Sequence, residues 1–156
     1  MTAPLREYRY QVDRDGRVFH DGSEIVDPTV LRFFLRAMTR ADDGRCLVLC
    51  QGERNWFEAA DTPFVVQRLR LEVEGAMLRA VELVFPGDYR EPLDPATLET
   101  DQDLLFCRVR GGAFRARFGR VAVQQIAPFL ADVGEGSVLI LAGGRHPIRR
   151  PASVVR

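Results

Sequence analysis

Lysine is absent from this 156-residue chain, and all 22 of its basic residues are arginine. Mechanisms that need a lysine Schiff base or a phosphate-loop lysine are therefore excluded. Histidine and cysteine are scarce, at two and three residues, and asparagine occurs once, as Asn55. Because the two histidines lie far apart and the cysteines do not follow a zinc-ligand spacing, we expect neither a metal site nor a cofactor.

Long apolar runs are missing as well. No stretch approaches the ~18 residues of a membrane-spanning helix, and the first residues lack the charged and apolar segments of a secretory signal. With so few cysteines, this pattern predicts a soluble, reduced, cytoplasmic protein without a membrane partner. The composition is otherwise globular, with 46% apolar and 28% charged residues, which excludes intrinsically disordered and fibrous classes.

Acidic and basic residues balance at 22 each, but they are unevenly placed along the chain. Residues 1–63 carry nine arginines and 11 acids, residues 64–103 carry four and nine, and residues 104–156 carry nine and two. The net charges of these stretches are therefore −2, −5 and +7. Either the acidic stretch neutralises the basic one across a shared sheet, or the basic stretch receives an anionic partner.

Hydrophobic periodicity predicts an α+β protein with antiparallel β hairpins and two main helices packed on the sheet. The helices are expected at 28–40 and 120–132, and the strands at 7–13, 17–20, 46–51, 54–59, 64–73, 77–85, 104–110, 113–119 and 137–142. We expect a hairpin–helix–hairpin unit (1–63), a sheet-plus-helix unit (64–145) and a tail (146–156), with the two units packed as one compact protein. The long hairpins 64–85 and 104–119 are predicted to share one antiparallel sheet.

The apolar phase of each element predicts which side chains form the core. Nine residues sit on that phase and are expected to be largely buried. They are Phe34, Leu35, Val65, Leu69, Leu71, Val109, Phe114, Phe118 and Phe129.

The dipeptide Gly111-Gly112 predicts a two-residue hairpin loop, because both central positions of such a loop require positive φ. The loop fixes the register, so that Arg108 lies opposite Arg115. One face of the hairpin is then apolar. The other face carries Arg108, Arg110, Arg115 and Arg117, with Phe106 beside them.

Arginines placed directly opposite each other repel, so this face needs compensation. Nearby acids are one source, and the candidates are Glu72, Glu82, Asp101 and Asp103. An anionic ligand is the other source, because guanidinium is a planar fork suited to carboxylate and phosphate. A single phenylalanine is too little for a base-stacking platform, so the pattern does not favour nucleic acid.

A second polar motif follows the helix and contains Glu53, Arg54, Asn55 and Asp61. These residues either orient a ligand or substrate, or they are ordinary hairpin chemistry. In the latter interpretation Asn55 adopts a left-handed turn, Glu53 pairs with Arg54, and Asp61 caps a turn. Cys50 and His20 would form a nucleophilic pair only if their hairpins meet.

Several short strings occur in a fixed order: residues 6–13 before Gly16 and Phe19, residues 52–55, and residues 61–63 with Val65. In that order they resemble an uncharacterised family of bacterial proteins and small eukaryotic proteins expected in mitochondria. The chain also resembles a related bacterial domain of unknown function, at residues 19–23, 42–45, 61–65 and 116–118. The resemblance covers most of residues 6–145 and implies no activity, cofactor or catalytic residue. Residues 50–53 depart from the first family, in which Cys-Gly precedes the charged position.

Three functions follow from these observations, and the sequence leaves open whether the chain is an enzyme. The leading hypothesis is a binding or interaction module whose arginine-rich sheet face takes an anionic small molecule or partner. The second is a small enzyme that uses Glu53, Arg54, Asn55 and Asp61. The third is a structural subunit of a homodimer. A concave pocket shared by the two motifs would favour the enzyme, whereas a flat surface would favour binding.

Overall fold

The computed structural model describes residues 6–151 and confirms an α+β fold of mostly antiparallel strands with two α-helices. None of the described helices is long and apolar enough to cross a membrane. The elements, in chain order, are β1 (Glu7–Val12), β2 (Val18–His20), β3 (Ser23–Ile25), α1 (Pro28–Ala37), β4 (Thr39–Arg40), β5 (Cys46–Cys50), β6 (Glu53–Ala59), β7 (Phe64–Val66), β8 (Arg68–Glu74), β9 (Met77–Val84), β10 (Arg90–Pro92), β11 (Glu99–Asp101), β12 (Leu104–Val109), β13 (Phe114–Phe118), α2 (Arg120–Ile126), β14 (Leu130–Val133), β15 (Gly136–Leu141) and β16 (Gly144–Pro147).

The described residues form two compact units. The first contains the residues up to 63 together with 86–89, and the second contains 64–85 and the residues from 90 onward. In the first unit a six-stranded sheet runs in the order β3-β2-β1-β6-β5-β4. Its β1 and β6 are parallel, and its other neighbours are antiparallel.

Helix α1 begins where its sequence predicts. The Asp27 carboxylate accepts a hydrogen bond from the Thr29 backbone N–H at 2.9 Å, and Pro28 occupies the first turn, where its missing N–H costs nothing. The helix buries Phe34 and Leu35. It ends at Ala37, short of the predicted 40, because Thr39 and Arg40 pair with β5 as an edge strand.

The second unit contains three sheets, in the orders β10-β9-β8, β11-β12-β13-β7 and β14-β15-β16. The prediction that hairpins 64–85 and 104–119 share one antiparallel sheet is therefore wrong. The predicted strand 64–73 divides at Gln67. The segment before it, β7, pairs in parallel with β13. The backbone N–H of Gln67 donates to the Val84 carbonyl at 2.9 Å, which joins Gln67 to β9 of the β10-β9-β8 sheet.

The second helix and the tail differ from the prediction. Helix α2 ends at Ile126, because Pro128 has no N–H and restricts the residue before it; a 3₁₀ turn, Ala127–Phe129, follows and leads into β14. The prediction of a tail from residue 146 is wrong for residues 146–149. Strand β16 runs to Pro147, and the Arg149 carbonyl accepts from Thr100 N–H at 2.8 Å. The rest of that predicted tail includes residues 152–156, which lie outside the described residues.

The predicted core is largely confirmed. Leu71 and Phe129 are half-buried. Leu71 borders an open groove, and Phe129 lies in the 3₁₀ turn that replaced the end of the predicted helix. The other predicted core residues are buried, and they are Phe34, Leu35, Val65, Leu69, Val109, Phe114 and Phe118.

Candidate functional site

The β12–β13 hairpin has the predicted register, with Arg108 opposite Arg115 and Val109 opposite Phe114. Strand β12 ends at Val109, however, so the loop spans residues 110–113. Arg110 has a φ of 57° there, and its guanidinium carbon lies 5.9 Å from the ring centroid of Phe114 on the apolar face. The placement of Arg110 with the other arginines is therefore wrong, because side-chain alternation does not extend beyond the ladder. We call Arg108, Arg115 and Arg117 the arginine face.

Arg115 is held by three contacts within its own sheet. Its Nε lies 3.1 Å from Glu99 Oε1 and its Nη2 lies 3.0 Å from Asp101 Oδ2. Its guanidinium carbon sits 3.4 Å from the ring centroid of Phe106, which is only 2% exposed although it lies on the polar side of the hairpin. Arg115 therefore serves to cover an aromatic ring and to neutralise two acids of the neighbouring strand β11.

Asp101 is the one predicted acid that compensates the arginine face. Glu82 is paired elsewhere, Glu72 lines a groove on another sheet, and Asp103 lies in a turn at φ 66°. Glu99 was missed because residues 99–101 carry no strand signal of their own; only pairing with β12 makes them a strand.

Arg108 and Arg117 complete the arginine face. The Arg108 side chain is exposed and has no ion pair or hydrogen bond within residues 6–151, while its backbone N–H donates to Thr97 Oγ1 at 2.9 Å. Arg117 is half-buried and lies opposite Phe106. An anion bound at this face would have to compete with Glu99 and Asp101 for Arg115, so the face offers one exposed cation rather than four.

A second group of arginines lies on the β10-β9-β8 sheet, which buries Leu69 and Leu83 on one side. Its other side forms an open groove of about 660 Å³. Glu82 Oε1 lies 3.6 Å from Arg90 Nη1 and 3.9 Å from Arg70 Nη1. We call this the basic groove, and its lining residues are Arg70, Leu71, Glu72, Ala80, Val81, Glu82, Arg90 and Pro92.

Antiparallel pairing explains why these charges meet. Arg70 and Glu82 are directly opposite, and Arg68 and Arg90 both lie opposite Val84, so all four side chains share one face. The two contacts with Glu82 exceed the ~3.2 Å limit of a good hydrogen bond. Sequence analysis missed this group because Arg90 lies on β10, a strand that was not predicted. The local signals were the alternation of Arg68 and Arg70 along β8 and the predicted hairpin that pairs β8 with β9.

Strand alternation separates the residues of the second predicted motif. Glu53 and Asn55 point to one face of the first unit's sheet, whereas Arg54 points to the other, where its Nη1 lies 3.6 Å from Glu7 Oε1. The predicted Glu53–Arg54 pair is therefore wrong. Asp61 follows the end of β6 in an exposed bend.

Asn55 does not adopt the predicted left-handed turn. It lies within β6, is 5% exposed, and donates from Nδ2 to the Val48 carbonyl at 3.1 Å. The left-handed positions of this hairpin are Gln51 and Gly52, at φ 50° and 79°. Asn55 is therefore a buried amide in the strand.

The face that carries Glu53 and Asn55 also carries aromatic side chains. The His20 ring lies 5.0 Å from that of Tyr10 and 6.0 Å from that of Tyr8, measured between centroids. Burial raises the pKa of Tyr10, and the nearby charge of Glu53 raises it further. We call Tyr8, Tyr10, His20, Glu53 and Asn55 the tyrosine face.

The cysteines and histidines are spread over several strands. His20 and Cys50 are separated by β1 and β6, about 14 Å at the usual strand spacing, so they form no nucleophilic pair. Burial raises the pKa of Cys46, and it raises that of Cys107 to about 12, so both stay thiols at neutral pH. Within residues 6–151 no three His, Cys, Asp or Glu side chains are grouped to hold a metal ion.

Two solved structures are similar to the chain. One is a DUF1285 family protein from Silicibacter pomeroyi DSS-3, with a TM-score of 0.69 and 18% identity over 95% of this chain and 84% of that protein. The other is a DUF1285 family protein from Shewanella baltica OS155, with a TM-score of 0.58 and 11% identity over 77% of this chain and 91% of that protein. Neither a protein-family model nor a curated protein sequence matches the chain. At such identities the likeness concerns the fold, and it is a likeness to uncharacterised proteins.

Proposed function

We propose that the second unit is a binding module for a small anion with a carboxylate or phosphate group, held in the basic groove. The observation that carries this proposal is the convergence of Arg70 and Arg90 on a single oxygen of Glu82, at the wall of an open groove. The two guanidinium groups come from the strands on either side of β9, and each is a planar donor suited to an oxyanion.

The charge of the groove supports an anionic ligand. Three arginines, at 68, 70 and 90, share a face with two glutamates, at 72 and 82. Glu82 lowers the repulsion between Arg70 and Arg90, but its contacts with them are long and its side chain is 41% exposed. An oxyanion entering the groove therefore gains a charge-assisted contact with Arg70 without displacing a tight ion pair of that residue.

The arginine face predicted from the sequence is the weaker candidate for the same function. Arg115 already contacts Glu99, Asp101 and the ring of Phe106, so an anion there would break contacts that hold the sheet. A ligand contact at Arg108 stays a prediction, and it is tested by the same titrations.

The test is a titration of the full chain with inorganic phosphate and with citrate. Binding is measured by calorimetry and by the shift in thermal unfolding. Sodium chloride is adjusted to keep the ionic strength constant, because screening alone changes stability. We expect saturable binding that is weakened at least about tenfold by Arg70→Ala or by Arg90→Ala. A response to phosphate alone identifies a phosphate group as the ligand chemistry, and a response to citrate alone identifies a carboxylate.

Arg79→Ala is the matched control. Arg79 is an exposed arginine of β9 that pairs with Glu74 and does not line the groove. The control should bind like the original chain. Absence of saturable binding in the original chain, or an equal loss in the control, would overturn the proposal.

The remaining hypotheses from the sequence stay predictions. An enzyme built on Glu53, Arg54, Asn55 and Asp61 loses support, because Arg54 lies on the opposite face of the sheet. A homodimer is tested by the mass of the chain in solution. The cytoplasmic location is tested by localising the protein in cells. The relationship to a family with mitochondrial members is tested by aligning the sequences of relatives.

A further inference from the structure

The tyrosine face lies at one end of the first unit's sheet and has no part in the basic groove. The parallel register sets Tyr8 beside Asn55 and Tyr10 beside Phe57. The antiparallel register sets Cys50 opposite Glu53. The aromatic and polar side chains of β1, β2 and β6 therefore face the same side of one sheet.

Tyr10 marks the boundary between the core and this polar end. On its core side its ring stacks on Phe57, with centroids 4.9 Å apart and planes at 13°, and it contacts Phe34 of α1 at 5.1 Å. On its other side it contacts His20, and it lies within the electrostatic influence of Glu53. Helix α1 thus covers the apolar end of the sheet face, whereas the tyrosine face is half-buried.

His20 of the tyrosine face has partners, because its Nδ1 lies 3.1 Å from the Arg9 carbonyl oxygen and its Nε2 lies 3.4 Å from Asp21 Oδ2, whereas three other polar groups have none among the described residues. In the part of the chain that the structure describes, the Glu53 carboxylate and the hydroxyls of Tyr8 and Tyr10 form no hydrogen bond or ion pair. Asn55 uses its Nδ2 for the Val48 carbonyl, which leaves its Oδ1 as an acceptor. Half-buried polar groups that converge without internal partners are typical of a ligand site.

The outer face of the same strands shows the opposite arrangement. There Arg54 pairs with Glu7, and the guanidinium carbon of Arg45 lies 3.9 Å from the ring of Trp56. On the tyrosine face, by contrast, Arg6 precedes β1 beside Glu53 but forms no ion pair with it among the described residues. Glu53 therefore forms no ion pair within residues 6–151, although Arg6 lies beside it on the same face.

We propose that the tyrosine face binds a small organic ammonium ion. An ammonium group carries only donors, and the face offers the matching acceptors, the carboxylate of Glu53 and Oδ1 of Asn55. The ring of Tyr8, on the same face of the sheet, is an aromatic π-system of the kind that attracts cations. An anion is disfavoured by Glu53, and a neutral apolar molecule would leave the acceptors without donors.

The probe is butylammonium, titrated into the full chain with ring-labelled tyrosine and followed by NMR. The chain has three tyrosines, so the signal of Tyr89, which lies outside the tyrosine face, serves as an internal reference. We expect saturable shifts of the Tyr8 and Tyr10 signals, and an affinity at least about tenfold lower in Glu53→Gln. Butanol and butyrate, of similar size but neutral or negative, should bind at least about tenfold more weakly.

Glu58→Gln is the matched control, because Glu58 lies on the same strand but on the outer face. It should bind butylammonium like the original chain. The proposal is overturned if no saturable shift occurs, if butanol or butyrate binds equally well, or if both glutamine variants weaken binding to the same degree. Thermal unfolding of Glu53→Gln confirms that the variant folds, which is expected because the carboxylate has no partner among the described residues. The outcome is independent of the basic groove, which uses different residues and an anionic probe.

Discussion

Replacement of Arg115 by alanine is expected to lower the free energy of unfolding by about 2–4 kcal/mol. The ion pairs with Glu99 and Asp101 are partly exposed, so each contributes at most ~1 kcal/mol. The cation–π contact with Phe106 contributes a further ~0.5–1 kcal/mol. Loss of cover over that ring exposes apolar area worth about 1 kcal/mol at ~25 cal/mol per Å².

Two further variants separate these contributions. Arg115→Leu removes the charge but keeps an apolar cover over Phe106, so we expect about half the loss. Arg108→Ala removes the like charge directly opposite and should change stability by only a few tenths of a kcal/mol, in the stabilising direction. That gain should disappear when Arg115 is already alanine, which a double-mutant cycle measures.

Urea unfolding at low and at high salt provides the assay. The slope of the unfolding free energy against urea should stay constant, so that the midpoint reports stability. High salt should reduce the difference between Arg115→Ala and the original chain, because partly exposed ion pairs are screened. A loss below ~1 kcal/mol, or one that salt leaves unchanged, would refute the view that paired acids hold Arg115 in place.

Two other predictions concern backbone strain and thiol burial. Gly87→Ala should destabilise the first unit by more than the ~1–2 kcal/mol cost of an L-residue in the left-handed conformation, because the new Cβ would lie 2.5 Å from Arg32 N and 2.6 Å from the Pro28 carbonyl oxygen. Gly75→Ala, in open space at φ 63°, is the control in thermal unfolding and should lose less. Burial, with smaller contributions from Glu91 and Asp94, raises the pKa of Cys107 to about 12, so iodoacetamide at pH 8 should modify it only after unfolding. Rapid labelling of Cys107 in the folded chain, measured by mass spectrometry, would contradict its burial.

Local signals in the sequence predicted local structure well. The pair Gly111-Gly112 gave the correct register of β12 and β13, because a tight turn fixes which residues face each other. Asp27 and Pro28 likewise marked the start of α1. Pro128 was a visible signal for the early end of α2, although the prediction extended the helix beyond it.

Partners distant in the sequence were not predictable from periodicity. Strand β7 pairs in parallel with β13, and residues 99–101 become a strand only through β12; neither pairing has a signal within the segment itself. The basic groove was missed for a different reason: the hairpin that sets Arg70 opposite Glu82 was predicted, but β10, which carries Arg90, was not predicted as a strand. The separation of Arg54 from Glu53 and Asn55, in contrast, follows from strand alternation and could have been predicted.

The arginines of the second unit divide into two roles according to how tightly acids hold them, and this division can be measured. Arg115 lies within 3.1 Å of two carboxylates, whereas Arg70 has its ion pair at 3.9 Å. Arg115→Ala should therefore lower stability and leave anion binding unchanged. Arg70→Ala should weaken anion binding and change stability by less than ~0.5 kcal/mol, the usual contribution of an exposed pair. If the two variants show the reverse pattern, the anion site lies on the arginine face and the groove is structural.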